Sequence, residues 1–340
     1  RILFIMWKDG DYTNKKVATI VGRILSCHPH GDSSAYGALV RLAQPWVMNY
    51  KLVDITGNAG TQDGDPAAAG RYIEAKISDF AQKAILQDFD TISTDWEDNY
   101  DYAFKVPVYL PSRIPLVLVN GIDGLGEAYR CYIPPHNLNE IADRCISYIK
   151  NKNISNAELC EGLYPDFPTG GEIVNGDELH DLYTRGKPCT CVVRGKVNFD
   201  TENNVISMTE FPYGIACDSV AAAVKEATKN GNMILSGIEN VQDDNHITDD
   251  DTAIKSRNKK KKTYEYQCRK DVNMMEILNE IYKVSGFQTS LPLSYMTTKD
   301  GYPKNVTVLD IIKDWYAFRV DCKRRKATSN IAQTQYKCHI

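Results

Sequence analysis

The stretch G-D-P-A-A-A-G-R-Y-I-E, residues 64–74, runs through small residues to one arginine and one tyrosine, Arg71 and Tyr72. Upstream, H-P-H-G-D-S at residues 28–33 supplies two histidines in a turn-prone loop. A phenol has a pKa near 10, so it is a weak nucleophile until something removes its proton and something else stabilises the charge that builds on the group attacked. The two stretches together supply what a tyrosine hydroxyl needs to attack a phosphate. Beside a phosphate, Arg71 offers a planar fork of donors that matches the oxygens and stays charged at any working pH. Alone, each residue reads differently. Tyr72 is one of 20 tyrosines, most of which pack or hydrogen-bond, and the bland reading of Arg71 is a surface charge. His28, His30 and Asp32 occupy alternate positions, which suits a metal site on an extended segment. Pro29 and Gly31 between them favour a turn instead.

The rest of the chain is ordinary in composition. Its 340 residues suit two or three domains, and 43% hydrophobic with 25% charged residues is typical of a soluble globular protein. No apolar run approaches the roughly 20 residues of a transmembrane helix, and no signal peptide is recognisable. The ten cysteines are scattered; only Cys189 and Cys191 are close, and no C-x-x-C zinc pattern occurs. Reduced thiols and a cytoplasmic location are expected. The opening R-I-L-F-I-M-W reads as the middle of a helix, which predicts a piece of a longer protein. A net charge of −4 is awkward for a binder of nucleic acid, but the charge is segregated. Basic residues gather at Lys15, Lys16 and Arg23, at Arg41 and Arg71, and at Arg319, Lys323, Arg324, Arg325 and Lys326, with acids elsewhere, as at Asp249, Asp250 and Asp251.

Periodicity predicts the elements. Val17, Ile20, Val21, Ile24 and Leu25 fall at helical spacing. Asp32, Ser33 and Ser34 are N-cap types for a second helix carrying Ala35, Leu39 and Leu42. Two short helices around an H-P-H-G turn predict a helix-turn-helix whose second helix is the recognition helix. Residues 51–72 read as a wing and the loop holding Tyr72. Prolines and glycines turn the chain often over residues 107–135. Residues 137–150, 219–229 and 273–283 read as helices. Residues 170–213 alternate as strands, with Cys191, Val193, Gly195 and Val197 on one face and Val192, Arg194 and Lys196 on the other. The basic run Lys255 to Lys262 reads as a solvated hairpin loop in preference to a dedicated nucleic-acid contact. A long helix occupies residues 306–337.

Four blocks then carry a family resemblance. They are H-P-H-G-D-S-S-A-Y at 28–36 with R-L-A-Q-P at 41–45, D-G-D-P-A-A-A-G-R-Y at 63–72, L-V-N-G-I-D-G-L at 118–125 with I-P-P-H-N-L at 133–138, and F-P-T-G-G-E-I at 167–173. In this order they resemble the A subunit of bacterial type IIA DNA topoisomerases, the gyrase A and topoisomerase IV A family, with weaker similarity to about residue 325. The resemblance implies an α+β fold: a winged-helix domain over residues 1–118 bearing the nucleophilic tyrosine, an α/β tower domain over 119–305, and the start of a coiled-coil helix over 306–340. It implies a polypeptide that cleaves and religates DNA through a 5′-phosphotyrosyl intermediate on Tyr72, so that religation needs no ATP. Mg²⁺ would be held by the TOPRIM domain of a partner B subunit, which also binds ATP. This chain has no P-loop and no acidic cluster in the TOPRIM context, and it is expected to hold no metal and to be inactive alone. Double-stranded DNA, a second copy of the chain and the B subunit are the implied partners, with the second dimer contact past residue 340.

The resemblance also implies residue roles. His30 resembles the histidine near the scissile phosphate, as proton acceptor or oxyanion donor. His28, Lys16, Arg41, Ser33 and Arg1 stand at DNA-contact positions. Leu125 aligns with an apolar wedge that enters between base pairs and kinks the duplex; the bland reading is a core leucine. Arg23 matches no family position, and Lys16 and Arg41 read otherwise as solvated charges. Several residues depart from the pattern. Glu127 follows the wedge where relatives carry small apolar residues, and Thr19 stands where they often carry a base. Gly37 stands where an acid, together with a serine at the position of Ser33, anchors a water–Mg²⁺ bridge to fluoroquinolones. Two other functions are consistent with the residues: a DNA-binding and bending module without cleavage, and a metal-dependent hydrolase using His28, His30 and Asp32.

Overall fold

Four consecutive apolar residues near the start, Leu3, Phe4, Ile5 and Met6, are all buried, so the first helix, α1 (Ile2–Lys8), is enclosed on every side. The computed structural model describes residues 1–126, 129–245, 262–299 and 301–339. Strand β1 (Lys15–Lys16) leads directly into α2 (Val17–Cys27), which buries Val17, Ile20, Val21, Ile24 and Cys27. After the H-P-H-G turn, α3 (Asp32–Arg41) buries Ala35, Leu39 and Val40 against the same core. Both helices occupy the stretches that periodicity predicts. Strands β2 (Val53–Thr56) and β3 (Glu74–Ile77) complete an antiparallel sheet in the order β1-β3-β2, in which Lys16 and Thr56 both face Glu74 from opposite sides. Residues 57–73 are the long connection of this hairpin and carry Tyr72. A second hairpin, β4 (Trp96–Asp98) and β5 (Lys105–Pro107), lies beyond.

Buried side chains gather in three clusters. The first draws on residues 3–106, the second on residues 118–193 and 291–312, and the third on residues 206–287. The second holds the hairpin β6 (Ile122–Gly126) and β7 (Tyr129–Ile133), the helix α4 (Leu138–Lys150) and a sheet of β8 (Glu172–Ile173), β9 (Cys189–Arg194) and β14 (Gln288–Leu293) in the order β14-β9-β8. The third packs α5 (Cys217–Lys229) and α6 (Met274–Ser285) on β10 (Lys196–Asp200), β11 (Val205–Glu210), β12 (Ile238–Asn245) and β13 (Lys262–Cys268), in the order β10-β11-β13-β12. A hairpin of β15 (Met296–Lys299) and β16 (Tyr302–Asn305) precedes α7 (Val308–His339), 32 residues long. The architecture is mixed α and β.

One strand expectation needs correction. The alternation across residues 191–197 is not one strand: β9 ends at Arg194 and β10 starts at Lys196, in different sheets. Gly195 is the break. A Cβ there would come within 2.0 Å of the Phe287 ring, so the aromatic occupies the volume a side chain would need. Cys191 and Val193 are buried as expected, while Val197 packs against the third cluster instead of the second.

The long helix is fixed to the first cluster by charge. Asp88, buried, meets Arg319 Nη2 at 2.7 Å, Lys323 Nζ at 3.0 Å and Arg113 Nε at 3.1 Å. Lys326 reaches Asp90 at 2.8 Å and Arg325 reaches Asp95 at 2.6 Å. Burial opposes ionisation of Asp88, but the hydrogen bonds from Arg113, Arg319 and Lys323 outweigh it and hold the carboxyl well below the usual carboxylate range. The basic cluster at residues 319–326 is therefore largely an internal clamp. Only Arg324 in it lacks a partner outside its own helix among the described residues, pairing instead with Asp321 one turn away at 3.9 Å.

Candidate functional site

The tyrosine loop is stitched to the two helices by backbone hydrogen bonds. Helix α2 has no side-chain cap. Its first amides are satisfied by the loop: Val17 N–H donates to Ile73 O at 3.1 Å and Ala18 N–H to Gly70 O at 3.0 Å. Gly70 is needed for that approach, since a Cβ there would lie 3.2 Å from the Ala18 nitrogen. From α3, the Tyr36 hydroxyl donates to Ala68 O at 2.5 Å. Gln44, just past α3, donates to Ala59 O at 2.8 Å, and within the loop Ala68 N–H donates to Asn58 O at 3.0 Å and the Thr61 hydroxyl to Asp65 at 2.8 Å. The small residues of the A-A-A-G run let the chain lie this close to α2 and α3.

Tyr72 emerges from this brace with 66% of its surface exposed, which is unusual for a large aromatic and leaves the hydroxyl open to an incoming group. The Arg71 guanidinium lies 4.6 Å from the centre of the Tyr72 ring, a cation–π contact that keeps the fork beside the phenol. His28 and His30 are both exposed, with rings stacked at 3.9 Å and 8°. His30 N–H donates to His28 O at 2.8 Å, which closes the turn ahead of α3. Burial, then the neighbouring His30, lowers the pKa of His28. Among the described residues no hydrogen bond or ring contact links either histidine to Arg71 or Tyr72. What joins the two groups is α3, which the H-P-H-G turn enters and on which the tyrosine loop leans.

The metal reading of His28, His30 and Asp32 finds no support in this geometry. Parallel rings direct their in-plane lone pairs alongside one another, whereas two imidazoles on one ion must converge at about 2.0–2.1 Å. Asp32 accepts instead from the Ser33 amide at 2.8 Å. Among the described residues no three histidine, cysteine or carboxylate side chains form a metal-holding group.

The remaining sequence candidates separate into open and engaged residues. Ser33 and Arg41 are exposed on α3. Lys16 is paired across the sheet with Glu74 at 3.0 Å. Arg1 donates to Pro107 O at 2.7 Å and pairs with Glu97, on the second hairpin. Arg23 is a structural ion: it bridges Asp9 at 2.9 Å and the fully buried Asp11 at 2.6 Å. Leu125 is 78% exposed on hairpin β6–β7, which removes the core-leucine reading. Glu127, the acids at 249–251 and most of the basic run at 255–262 lie outside the described residues. The sequence reading missed Asn49 and Asn120, whose amides bridge the first and second clusters; Asn120 lies inside the L-V-N-G block, the signal that marks it. Among the described residues no disulfide joins the cysteines, and no helix is long and apolar enough to cross a membrane.

These features define a class: a mixed α/β protein that presents an exposed, arginine-flanked tyrosine on a loop braced by a helix pair. The chain belongs to the family of DNA gyrase and topoisomerase IV A subunits, whose model matches residues 1–340. It is 33% identical over 347 residues to the DNA gyrase A subunit of Halalkalibacterium halodurans and 34% identical over 348 residues to the DNA topoisomerase 4 A subunit of Staphylococcus aureus. The alignments cover 100% of this chain, but only 40% and 42% of those proteins, so the chain spans about two fifths of their length.

Proposed function

We propose that the chain is the DNA cleavage and religation part of a type IIA topoisomerase, from its A subunit. Residues around α2, α3 and β1–β3 act as a winged-helix domain, and the later α/β region as the tower. The Tyr72 hydroxyl oxygen attacks a backbone phosphorus; a P–O bond to tyrosine forms, the bond to the 3′ oxygen breaks, and the 5′ end stays on the protein. His30 takes the phenolic proton or donates to the phosphate oxygens, and Arg71 stabilises the charge that builds on them. Religation reverses the step. Mg²⁺ and ATP belong to a B-subunit partner in this reading, as the family resemblance implies. Double-stranded DNA, a second copy of the chain and that B subunit are the partners, in the cytoplasm.

The observation that carries this reading is the exposed Tyr72 with the Arg71 fork held against its ring. The test is adduct trapping: the chain is combined with its B subunit, Mg²⁺ and end-labelled duplex, and the mixture is denatured. A covalent adduct on the 5′ end is expected, with none from Tyr72→Phe at unchanged DNA affinity. Adduct formation by Tyr72→Phe near the wild-type level refutes the assignment. The exposed Leu125 hairpin favours a second reading, a bending module without cleavage; bent DNA without any adduct from the wild-type complex would establish it.

A further inference from the structure

We infer that Asn49 and Asn120 form a joint that relays the position of the Leu125 hairpin to the tyrosine loop, and that both are positioning residues for strand cleavage; the inference rests on the cleavage reading above. The segment after α3, residues 47–50, is where the second cluster grips the first. The Tyr213 hydroxyl donates to Val47 O at 3.0 Å. The single Asn49 amide group faces three carbonyl oxygens, of Val119 at 3.2 Å, His136 at 3.3 Å and Asp166 at 2.9 Å. It carries two hydrogens, so one bond is shared. Tyr50 and Asn120 form a closed pair: Tyr50 N–H donates to the Asn120 side-chain oxygen at 2.9 Å, and the Asn120 amide donates to Tyr50 O at 2.8 Å. Asn120 is 5% exposed, so no water replaces these partners easily.

The joint sits between the two working parts. Asn120 precedes β6, and at Gly121 (φ 69°) a Cβ would lie 2.7 Å from Ile133 O, so the base of the hairpin is closed tightly behind it. On the other side, Tyr50 stacks on Phe80 at 4.7 Å and leads into β2. Leu52 N–H donates to Leu42 O at 2.9 Å, at the end of α3. Strand β2 pairs with β3, which begins two residues after Tyr72. Directional bonds between buried amides and backbone fix orientation, where an apolar contact would allow sliding. A shift of Leu125 is therefore passed through Asn120 and Tyr50 to the sheet that carries the nucleophile.

The test uses the complex with Mg²⁺ and the B subunit, and two duplexes: one intact, the other made flexible by a mismatch at the step the hairpin would enter. Asn49→Ala and Asn120→Ala should keep DNA affinity near wild type and lose about 10²-fold in cleavage rate on the intact duplex, the scale of a small misplacement of reacting groups. The mismatched duplex should restore little of that loss, because the fault lies between hairpin and tyrosine loop and not in bending the DNA. Leu125→Ala, whose fault lies in bending, should lose as much on the intact duplex and recover on the mismatched one, and on the intact duplex Asn120→Ala combined with Leu125→Ala should cost far less than the product of the two single losses. Should Asn120→Ala fail to fold, Asn49→Ser, which keeps one donor, carries the same comparison. Wild-type cleavage by the asparagine variants, multiplying losses in the double variant, or full recovery of the asparagine variants on mismatched DNA each overturns the joint. No adduct from the wild type, or an adduct from Tyr72→Phe, instead overturns the cleavage reading beneath it.

Discussion

Gly37 stands on the exposed face of α3, four positions after Ser33, and a Cβ built there meets no atom within 4 Å. Positions four apart share a helix face, so an acid at 37 would sit beside the serine hydroxyl. In the water–Mg²⁺ bridge to fluoroquinolones that the family resemblance implies, glycine here would remove the charge-assisted anchor, the stronger kind by about twofold. Gly37→Asp or Gly37→Glu should raise drug-stabilised cleavage in the complete complex. Gly37→Ala should only firm the helix, by up to about 1 kcal/mol; equal sensitisation by alanine and aspartate would assign the effect to helix order. A second residue governs response to acid. His136 is fully buried, with Nδ1 donating to Leu118 O at 2.8 Å and Nε2 accepting from the Tyr183 hydroxyl at 2.8 Å. Burial lowers its pKa to about 4 from 6.5. The unfolded chain takes up a proton near pH 6.5 and the folded chain does not, so stability falls as pH drops from about 6.5 to about 4. The loss approaches about 3 kcal/mol. Thermal unfolding at pH 7 and pH 5 should show it, and His136→Gln should remove the difference between the two.

At the scale of elements, α7 is the piece held by charge. Asp88→Asn leaves Arg319, 12% exposed, without its carboxylate and should cost about 3 kcal/mol in urea unfolding, with earlier proteolysis along α7. Asp95→Asn, at the exposed end of the same clamp, should change little. Asp88 holds its charge far into acid, so its contribution is complete above about pH 4 and disappears only below that. This separates its window from that of His136. None of the clamp was legible in the sequence, because Asp88 and Arg319 lie 231 positions apart and a charge run looks the same whether solvated or paired. Helices α2 to α6 were legible, since each buries one stripe of regularly spaced apolar residues. The joined reading of β9 and β10 failed because alternation continues through Gly195 while the chain changes sheet. At the site, the small-residue run, Arg71 and Tyr72 were legible as a motif. Arg23 was not legible as a structural ion, since its partner Asp11 gives no signal beyond proximity in sequence.

Across the whole molecule, many cations near the tyrosine loop and the long helix are already bound. Arg1, Lys16, Arg23, Arg319, Lys323, Arg325 and Lys326 each hold a carboxylate. Among the described residues of β1, β3, the loop and α3, Lys15, Arg41, Arg71 and Lys76 have none. Each phosphate neutralised on DNA releases condensed counterions and adds about −0.9 to the slope of log affinity against log salt. Four open cations at this face would correspond to a slope of about −4 for a short duplex held there. Titrations across a series of KCl concentrations measure it; a slope near roughly −8 would mean that the carboxylate-held cations change partners when DNA arrives. A slope that small would mean that the entropy of ion release at this face supplies little of the grip. Fit between the surfaces would then supply the rest, and a duplex held by fit stays bound when the surrounding salt rises.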